Sequence, residues 1–389
     1  MKDFIFECKT KIVFGRRKED ETGRLVKKYA DKILICCGQG SVKRSGLFER
    51  VVKSLETAGV SYVEFGGAQP NPRLRLVQEG IELCRRENIR FLLAIGGGSV
   101  IDTAKAIALG VPYEGNVWDF YCGKQEPVTA LPVGCVLTLP ATGSESSVFS
   151  VITNEETERK IGYGNELLRP VFAILNPELT YTLPPYQTAC GCVDIMMHTM
   201  ERYFDNETNV EFIDRLSEGL LKTMIKRSLE VIENPSDYEV RADIMWAGAI
   251  SHNGLLETGR VGDWASHSIE HELGAIYDIA HGAGLAVIFP AWCRYVYKHN
   301  IKRFVQFAVR VMGVEEDFEN PEKTALEGIE KIENLFCRLG MPTRMKDLNI
   351  DDSRFYEMAD KCSEHDTVKT GNLYPLNRND IVEILRLTM

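Results

Sequence analysis

The residues that could do chemistry cluster between Asp194 and His281. This stretch holds five of the chain's seven histidines: His198, His252, His267, His271 and His281. Asp194/His198 and His267/His271 are each spaced i, i+4, which on a helix puts both side chains on one face, close enough to hold one ion. His281 follows in His281-Gly282-Ala283-Gly284. One carboxylate with several imidazoles suits a divalent metal of the zinc or iron kind, and a metal that polarises a substrate oxygen makes an enzyme. A lone Asp-x-x-x-His pair is more often an ordinary hydrogen-bonded pair; His267 and His281, following in order, favour the metal. Cys190 and Cys192 precede Asp194, but their i, i+2 spacing points them to different helix faces, so they read as packed thiols. His252 reads as a core or cleft residue, Trp264 as core, and His299 and His365 as surface residues.

A second kind of chemistry sits earlier. Gly96-Gly97-Gly98-Ser99 follows the apolar run Phe91 to Ile95 and opens a helix through Asp102 and Lys105. Glycines let a ligand approach the backbone, and the free N–H groups of a helix start favour a pyrophosphate. The pattern is not G-x-G-x-x-G, and a glycine run of this kind is also a plain tight turn. Lys105 reads as a solvated helix residue. In Cys37-Gly38-Gln39-Gly40-Ser41 another strand ends without the acidic residue that often holds the ribose of NAD. Ser41, Lys43 and Arg44 would suit a 2′-phosphate, which points toward NADP(H) over NAD(H).

Two sets of elements must position these groups. In the first half, apolar runs at 32–37, 61–65 and 91–95 read as strands buried on both faces. Helical stretches at 42–56, 72–86 and 100–109 separate them, and further strands are expected at 133–139 and 171–175. The alternation predicts a parallel, doubly wound α/β sheet. After Leu183-Pro184-Pro185 the strand signals fade. Helical periodicity runs through 186–204, 212–231, 240–253, 267–273, 302–311 and 322–339. Residues 1–183 are therefore expected to form an α/β dinucleotide-binding domain and residues 184–389 an all-helical metal-binding domain.

The composition suits a soluble globular protein: 389 residues, 44% hydrophobic and 26% charged, with a formal net charge of −10. Such acidity disfavours nucleic acid and anionic membrane surfaces as partners. No apolar run is long enough to span a bilayer, and the N-terminus lacks a signal-peptide pattern. The 11 scattered cysteines read as reduced thiols in a cytoplasmic protein.

Together these motifs resemble the iron-containing (group III) alcohol dehydrogenases, in particular the butanol dehydrogenase and NADPH-dependent aldehyde reductase branch. The resemblance rests on Gly96 to Asp102, on Pro140-Ala141-Thr142-Gly143-Ser144-Glu145, and on Asn176-Pro177-Glu178-Leu179 leading to Asp194 and His198. It continues in His267-x-x-x-His271-x-Leu273-Gly274 and His281-Gly282-x-Gly284. It implies that Asp194, His198, His267 and His281 bind one divalent metal, Fe(II) or Zn(II), and that His271 lies nearby without ligating. It implies cofactor contacts from Gly38, Gly40, Ser41, Gly97, Gly98, Ser99, Asp102, Thr142, Ser144 and Lys160. Thr142 and Ser144 read equally as caps of a helix beginning near Glu145. The position of Gly38 is often Asp in NAD-preferring members, so its absence again fits NADP(H).

The implied reaction is reversible hydride transfer between NADP(H) and a small aldehyde or primary alcohol; His271 reads equally as a proton relay and as a surface or cleft histidine without that duty. Four protein ligands plus substrate lean toward iron, although zinc also expands to five. A homodimer is expected, with an edge strand near 11–14 available to pair across a two-fold axis. The competing readings are a polyol dehydrogenase or a dehydroquinate-synthase-like lyase on the same fold, and a binding protein without turnover.

Overall fold

The computed structural model describes residues Met1–Met389. Eight strands form: β1 (Lys11–Phe14), β2 (Lys32–Gly38), β3 (Ser61–Ala68), β4 (Leu92–Gly97), β5 (Val133–Leu139), β6 (Phe149–Asn154), β7 (Arg159–Gly164) and β8 (Phe172–Leu175). Six make one parallel sheet in the order β1-β8-β5-β4-β2-β3. Its central strands are buried on both faces by alternation. Leu34, Cys36, Leu92 and Ala94 enter one apolar cluster, while Ile33, Ile35, Leu93 and Ile95 enter the other. From β2 the chain pairs β3 on one side and β4 on the other, and this reversal opens a crevice at the carboxyl ends of β2 and β4.

The helices of this half are α1 (Thr22–Val26), α2 (Ser41–Arg44), α3 (Leu47–Thr57), α4 (Leu74–Arg86), α5 (Gly98–Gly110) and α6 (Trp118–Tyr121). The expected helix over 42–56 is two, because Gly46 turns left-handed (φ 70°) between them. The helix expected from Pro72 starts at Leu74. Arg73 is extended and bridges Thr153, whose N–H donates to the Pro72 carbonyl. The antiparallel β6–β7 hairpin was not expected from the sequence.

The rest is helical: α7 (Pro185–Tyr203), α8 (Glu211–Glu233), α9 (Tyr238–His252), α10 (Ala265–Tyr277), α11 (His281–Val296), α12 (Ile301–Arg310), α13 (Pro321–Arg338), α14 (Phe355–Cys362) and α15 (Arg378–Arg386). Helix α11 contains Pro290 and is buried along nearly its whole length, so it shows no amphipathic stripe to read. The chain divides into two compact units. Glu7–Leu183 and Ser236–Asn253 make one; Met1–Phe6, Pro184–Pro235 and Gly254–Met389 make the other. Helix α9 thus belongs to the α/β unit, where Met245 and Ala249 enter the sheet's core. No helix is long and apolar enough to cross a membrane.

Candidate functional site

In the helical unit, α7 carries Asp194 and His198 one turn apart, α10 carries His267, and α11 begins at His281. Close packing brings these helices together. A Cβ on Gly282 would lie 2.2 Å from the Cys190 carbonyl oxygen, and one on Gly284 would lie 2.7 Å from Glu270 Cγ, so only glycine admits both approaches.

The result is a convergence on one oxygen. Nε2 of His198, His281 and His267 lie 3.6, 3.7 and 3.9 Å from Asp194 Oδ1. Asp194 is 2% exposed, and neither its Oδ1 nor His267 Nε2 has a hydrogen-bond partner. Ligands about 2.1 Å from a tetrahedral metal stand roughly 3.4 Å apart; Asp194, His267 and His281 bring one ligand atom each within 4.8 Å of one another, a spacing that fits a divalent ion, and His198 joins this trio through its approach to Asp194. Orphaned buried polar atoms are otherwise costly. The pocket also favours positive charge. Burial alone would depress the His267 imidazole, but the Asp194 and Glu201 carboxylates outweigh it and raise its pKa to about 9.

Two further carboxylates orient the imidazoles. Glu201 Oε1 accepts both the backbone N–H and Nδ1 of His267, each at 3.0 Å. Glu270 Oε2 meets Nδ1 of His281. Both glutamates are buried, and each fixes the tautomer that turns Nε2 inward. Sequence reading missed them, although Glu201 follows His198 by one helical turn and Glu270 follows His267 likewise. His271 is half-buried, with its ring 5.9 Å from that of His281.

Trp264 was expected in the core. It is half-buried, and its ring lies 5.1 Å from that of His267 and 6.1 Å from that of His198. The Arg202 guanidinium lies 4.4 Å from the indole and donates to the His198 carbonyl at 2.7 Å. Trp264 takes a left-handed backbone (φ 65°), a strain that side chains rarely adopt without a packing reason. Cys190 and Cys192 stay out of the cluster: Cys190 touches Met341, and Cys192 is buried. His299 stacks on Tyr374, and His365 is exposed beside Asp360.

In the α/β unit, the turn after β4 opens α5 at Gly98, and α5 exposes its first N–H groups there. Thr142 packs on that turn so closely that a Cβ on Gly98 would fall 2.3 Å from its Oγ1. Residues 141–148 form turns rather than a helix, so Thr142 and Ser144 cap no helix. Gly143 sits left-handed (φ 62°), with His252 Cβ only 2.6 Å from where its own Cβ would be. Asp102 spends its carboxylate inside the protein, accepting from Ser144 Oγ at 2.5 Å and Val151 N–H at 3.1 Å.

Lys105 is fully buried, which corrects the solvated reading. Its Nζ donates to the Ser147 and Phe149 carbonyls at 3.0 and 2.8 Å, and burial lowers its pKa to about 8. The β6–β7 hairpin covers it, and this is the feature the sequence did not reveal. Burial pushes the Asp102 carboxyl above its ordinary pKa, an effect partly offset by the charge of Lys105 and, to a smaller degree, by that of the buried Lys160 on β7. At the end of β2, Gly38 and Gly40 precede α2, whose first residue is Ser41. Lys43 is paired with Glu64, while Arg44 is exposed.

The chain matches two family models, iron-containing alcohol dehydrogenase over residues 9–177 and the C-terminal domain of the same family over residues 188–389. The chain belongs to the iron-containing alcohol dehydrogenase family. It is 43% identical over 389 residues, the full length of both chains, to the probable NADH-dependent butanol dehydrogenase 1 of Bacillus subtilis. It is 37% identical over 377 residues, 95% of both chains, to the NADPH-dependent aldehyde reductase YqhD of Escherichia coli. The crystal structure of NADH-dependent butanol dehydrogenase A from Thermotoga maritima superposes with a TM-score of 0.96 at 40% identity, covering 100% of this chain and 99% of that one. The protein is thus an oxidoreductase of a family that uses a divalent metal and a nicotinamide nucleotide.

Proposed function

We propose that the enzyme reduces small aldehydes to primary alcohols, reversibly, with NADP(H) favoured over NAD(H). The observation that carries this reading is the convergence of three imidazole Nε2 atoms on the orphaned Asp194 Oδ1. Asp194, His198, His267 and His281 would hold one Fe(II) or Zn(II). A divalent metal, when bound, supplies a Lewis acid for the carbonyl oxygen, and a nicotinamide supplies the hydride. Glu201 and Glu270 keep the lone pairs of His267 and His281 directed inward. His271, partly open to solvent, delivers the proton that completes the alcohol and is reloaded from water.

Gly98 and Ser99 would receive the pyrophosphate at the start of α5, with Gly97 leaving room. Thr142, held over Gly98, and Ser144, fixed by Asp102, would face the nucleotide, with Lys160 nearby. Gly38, Gly40 and Ser41 would border the adenosine ribose. The lack of a carboxylate at the end of β2, with Arg44 exposed beyond it, supports room for a 2′-phosphate. Relatives named as NADH-dependent and as NADPH-dependent both occur.

The test uses metal-stripped enzyme reloaded anaerobically with Fe(II) or Zn(II), following NADPH and NADH oxidation with butanal. Metal-dependent turnover with higher kcat/KM for NADPH supports the reading; no turnover with either metal and either cofactor removes it. A Gly38→Asp variant should swing the preference toward NADH. The eleven free cysteines fit a reducing, cytoplasmic setting. The open edge of β1 and the exposure of Phe4 and Ile5 support a homodimer, which a monomeric mass by light scattering would rule out.

A further inference from the structure

Beside the Thr142–Ser144 turn lies an acid that the reaction does not use. Glu145 follows Ser144 directly and is 1% exposed, and neither of its carboxyl oxygens has a hydrogen-bond partner. The turn around it is pinned from several elements. Lys105 Nζ holds the Ser147 and Phe149 carbonyls, and Asp102 accepts from Ser144. Ser146 Oγ donates to the Ala249 carbonyl at 3.1 Å, and Arg169 donates to the Ser146 carbonyl at 2.6 Å. An ionised Glu145 must draw Lys105 off its carbonyls or stay unpaired, and an unpaired buried charge costs far more than a neutral acid. Charge argues the same way. The charged groups facing Glu145 are Lys105 and Asp102 of α5, with the Cys135 thiol of β5 alongside. Around them, Lys160 of β7 acts on Asp102, Arg169 is paired with Glu166, and His252 of α9 packs on Gly143 and Phe149. Asp102, Lys105 and Lys160 together leave one positive charge. An ionised Glu145 cancels it; a protonated Glu145 keeps it for an anion at the start of α5.

Resting on the reading of Gly98, Ser99, Thr142 and Ser144 as the nucleotide turn, we propose that Glu145 is a positioning residue for the nucleotide and that binding the cofactor's pyrophosphate is coupled to proton uptake by Glu145. The proton comes from solvent and settles on one Glu145 oxygen. Lys105 then stays on the Ser147 and Phe149 carbonyls, and the turn keeps its shape. Dissociation of the nucleotide returns the proton. Burial raises the Glu145 carboxyl to about 7. Below that value the free enzyme already holds the proton, so affinity is level. Above it binding must import one, so affinity falls as pH rises until the bound state also loses the proton.

The test is calorimetric titration of zinc-loaded, full-length enzyme with NADH from about pH 6 to about pH 8.5, in two buffers of different ionisation enthalpy to count protons. NADH is the probe because the 2′-phosphate of NADPH titrates in this range itself. Wild type is expected to take up protons on binding, with a dissociation constant roughly 10-fold higher at the upper end. Glu145→Gln should bind NADH with little pH dependence. Infrared difference spectra of the wild type keep the proposal testable if that variant does not fold. NADH should add a protonated carboxyl band near neutral pH, and isotope-labelled glutamate should shift that band. Proton uptake without such a band assigns the proton to Lys105 or His252 and overturns the proposal, as does a wild type that binds NADH with no proton uptake. A wild type that binds neither NADH nor NADPH at any pH would instead sink the reading of the nucleotide turn.

Discussion

Two glutamates, each bonded to Nδ1 of a proposed ligand, decide how the imidazoles present themselves. Glu201→Ala removes the acceptor for His267 Nδ1 and frees the ring to change tautomer. Metal affinity should fall by roughly 10- to 100-fold, read by chelator competition. Asp194, His198, His267 and His281 were legible because their types are uncommon and their spacing is helical. Glu201 and Glu270 obey the same spacing, but glutamate is so common on helices that it gives no signal until its partner is seen. Glu145 makes a separate case. It is buried with neither oxygen hydrogen-bonded, and burial raises its pKa from 4.5 to about 7. Between those values the folded state keeps a proton that the unfolded state has lost, so stability falls as pH rises through the window and levels off above it. Glu145→Gln should flatten that fall in urea titrations taken from pH 4.5 to 8, with a gain of up to about 3 kcal/mol at the upper end. An unchanged pH slope would show that Glu145 ionises freely.

At the scale of elements, helix contacts rather than loops set the site. Gly282→Ala must push α11 away from the Cys190 carbonyl and carry His281 with it. The expected outcome is lost metal retention with NADPH binding intact, measured by metal analysis and fluorescence titration. Behind α7 lies a closed ring of buried charges. Arg260 reaches Asp214 at 2.5 Å and Asp205 at 3.2 Å, and Arg303 reaches the same pair at 2.7 and 3.1 Å. Arg260 also donates to the Arg202 carbonyl at 2.9 Å, one turn past His198. Arg260→Met leaves Arg303 alone to neutralise the two buried carboxylates and should cost about 3 kcal/mol in urea unfolding. The central strands were legible because runs such as Phe91 to Ile95 are apolar without a break. The β6–β7 hairpin was not, because its polar residues Ser150, Thr153 and Lys160 are buried by tertiary hydrogen bonding and charge that no local pattern reports. Helix α11 escaped because Pro290 and an all-round apolar surface erase its periodicity.

Across the whole molecule the two proposed ligand sets belong to different units: the glycine turns after β2 and β4 to the α/β unit and the Asp194 cluster to the helical one. Stripping the metal should therefore leave the dissociation constant for NADPH nearly unchanged while abolishing turnover; a large loss of nucleotide affinity would show that the sites are energetically linked. The change of character after Leu183 was plain in the sequence, since every strand precedes it. The membership of α9 was not, because an amphipathic helix does not announce which core it will enter. The backbone passes between units four times, at 6/7, 183/184, 235/236 and 253/254. For protein engineering this means that the dehydrogenase is not two beads on a string. A chimera that borrows a relative's nucleotide half must take residues 236–253 along with 7–183, and a recombination library with its single crossover at Leu183 will yield mostly mismatched cores.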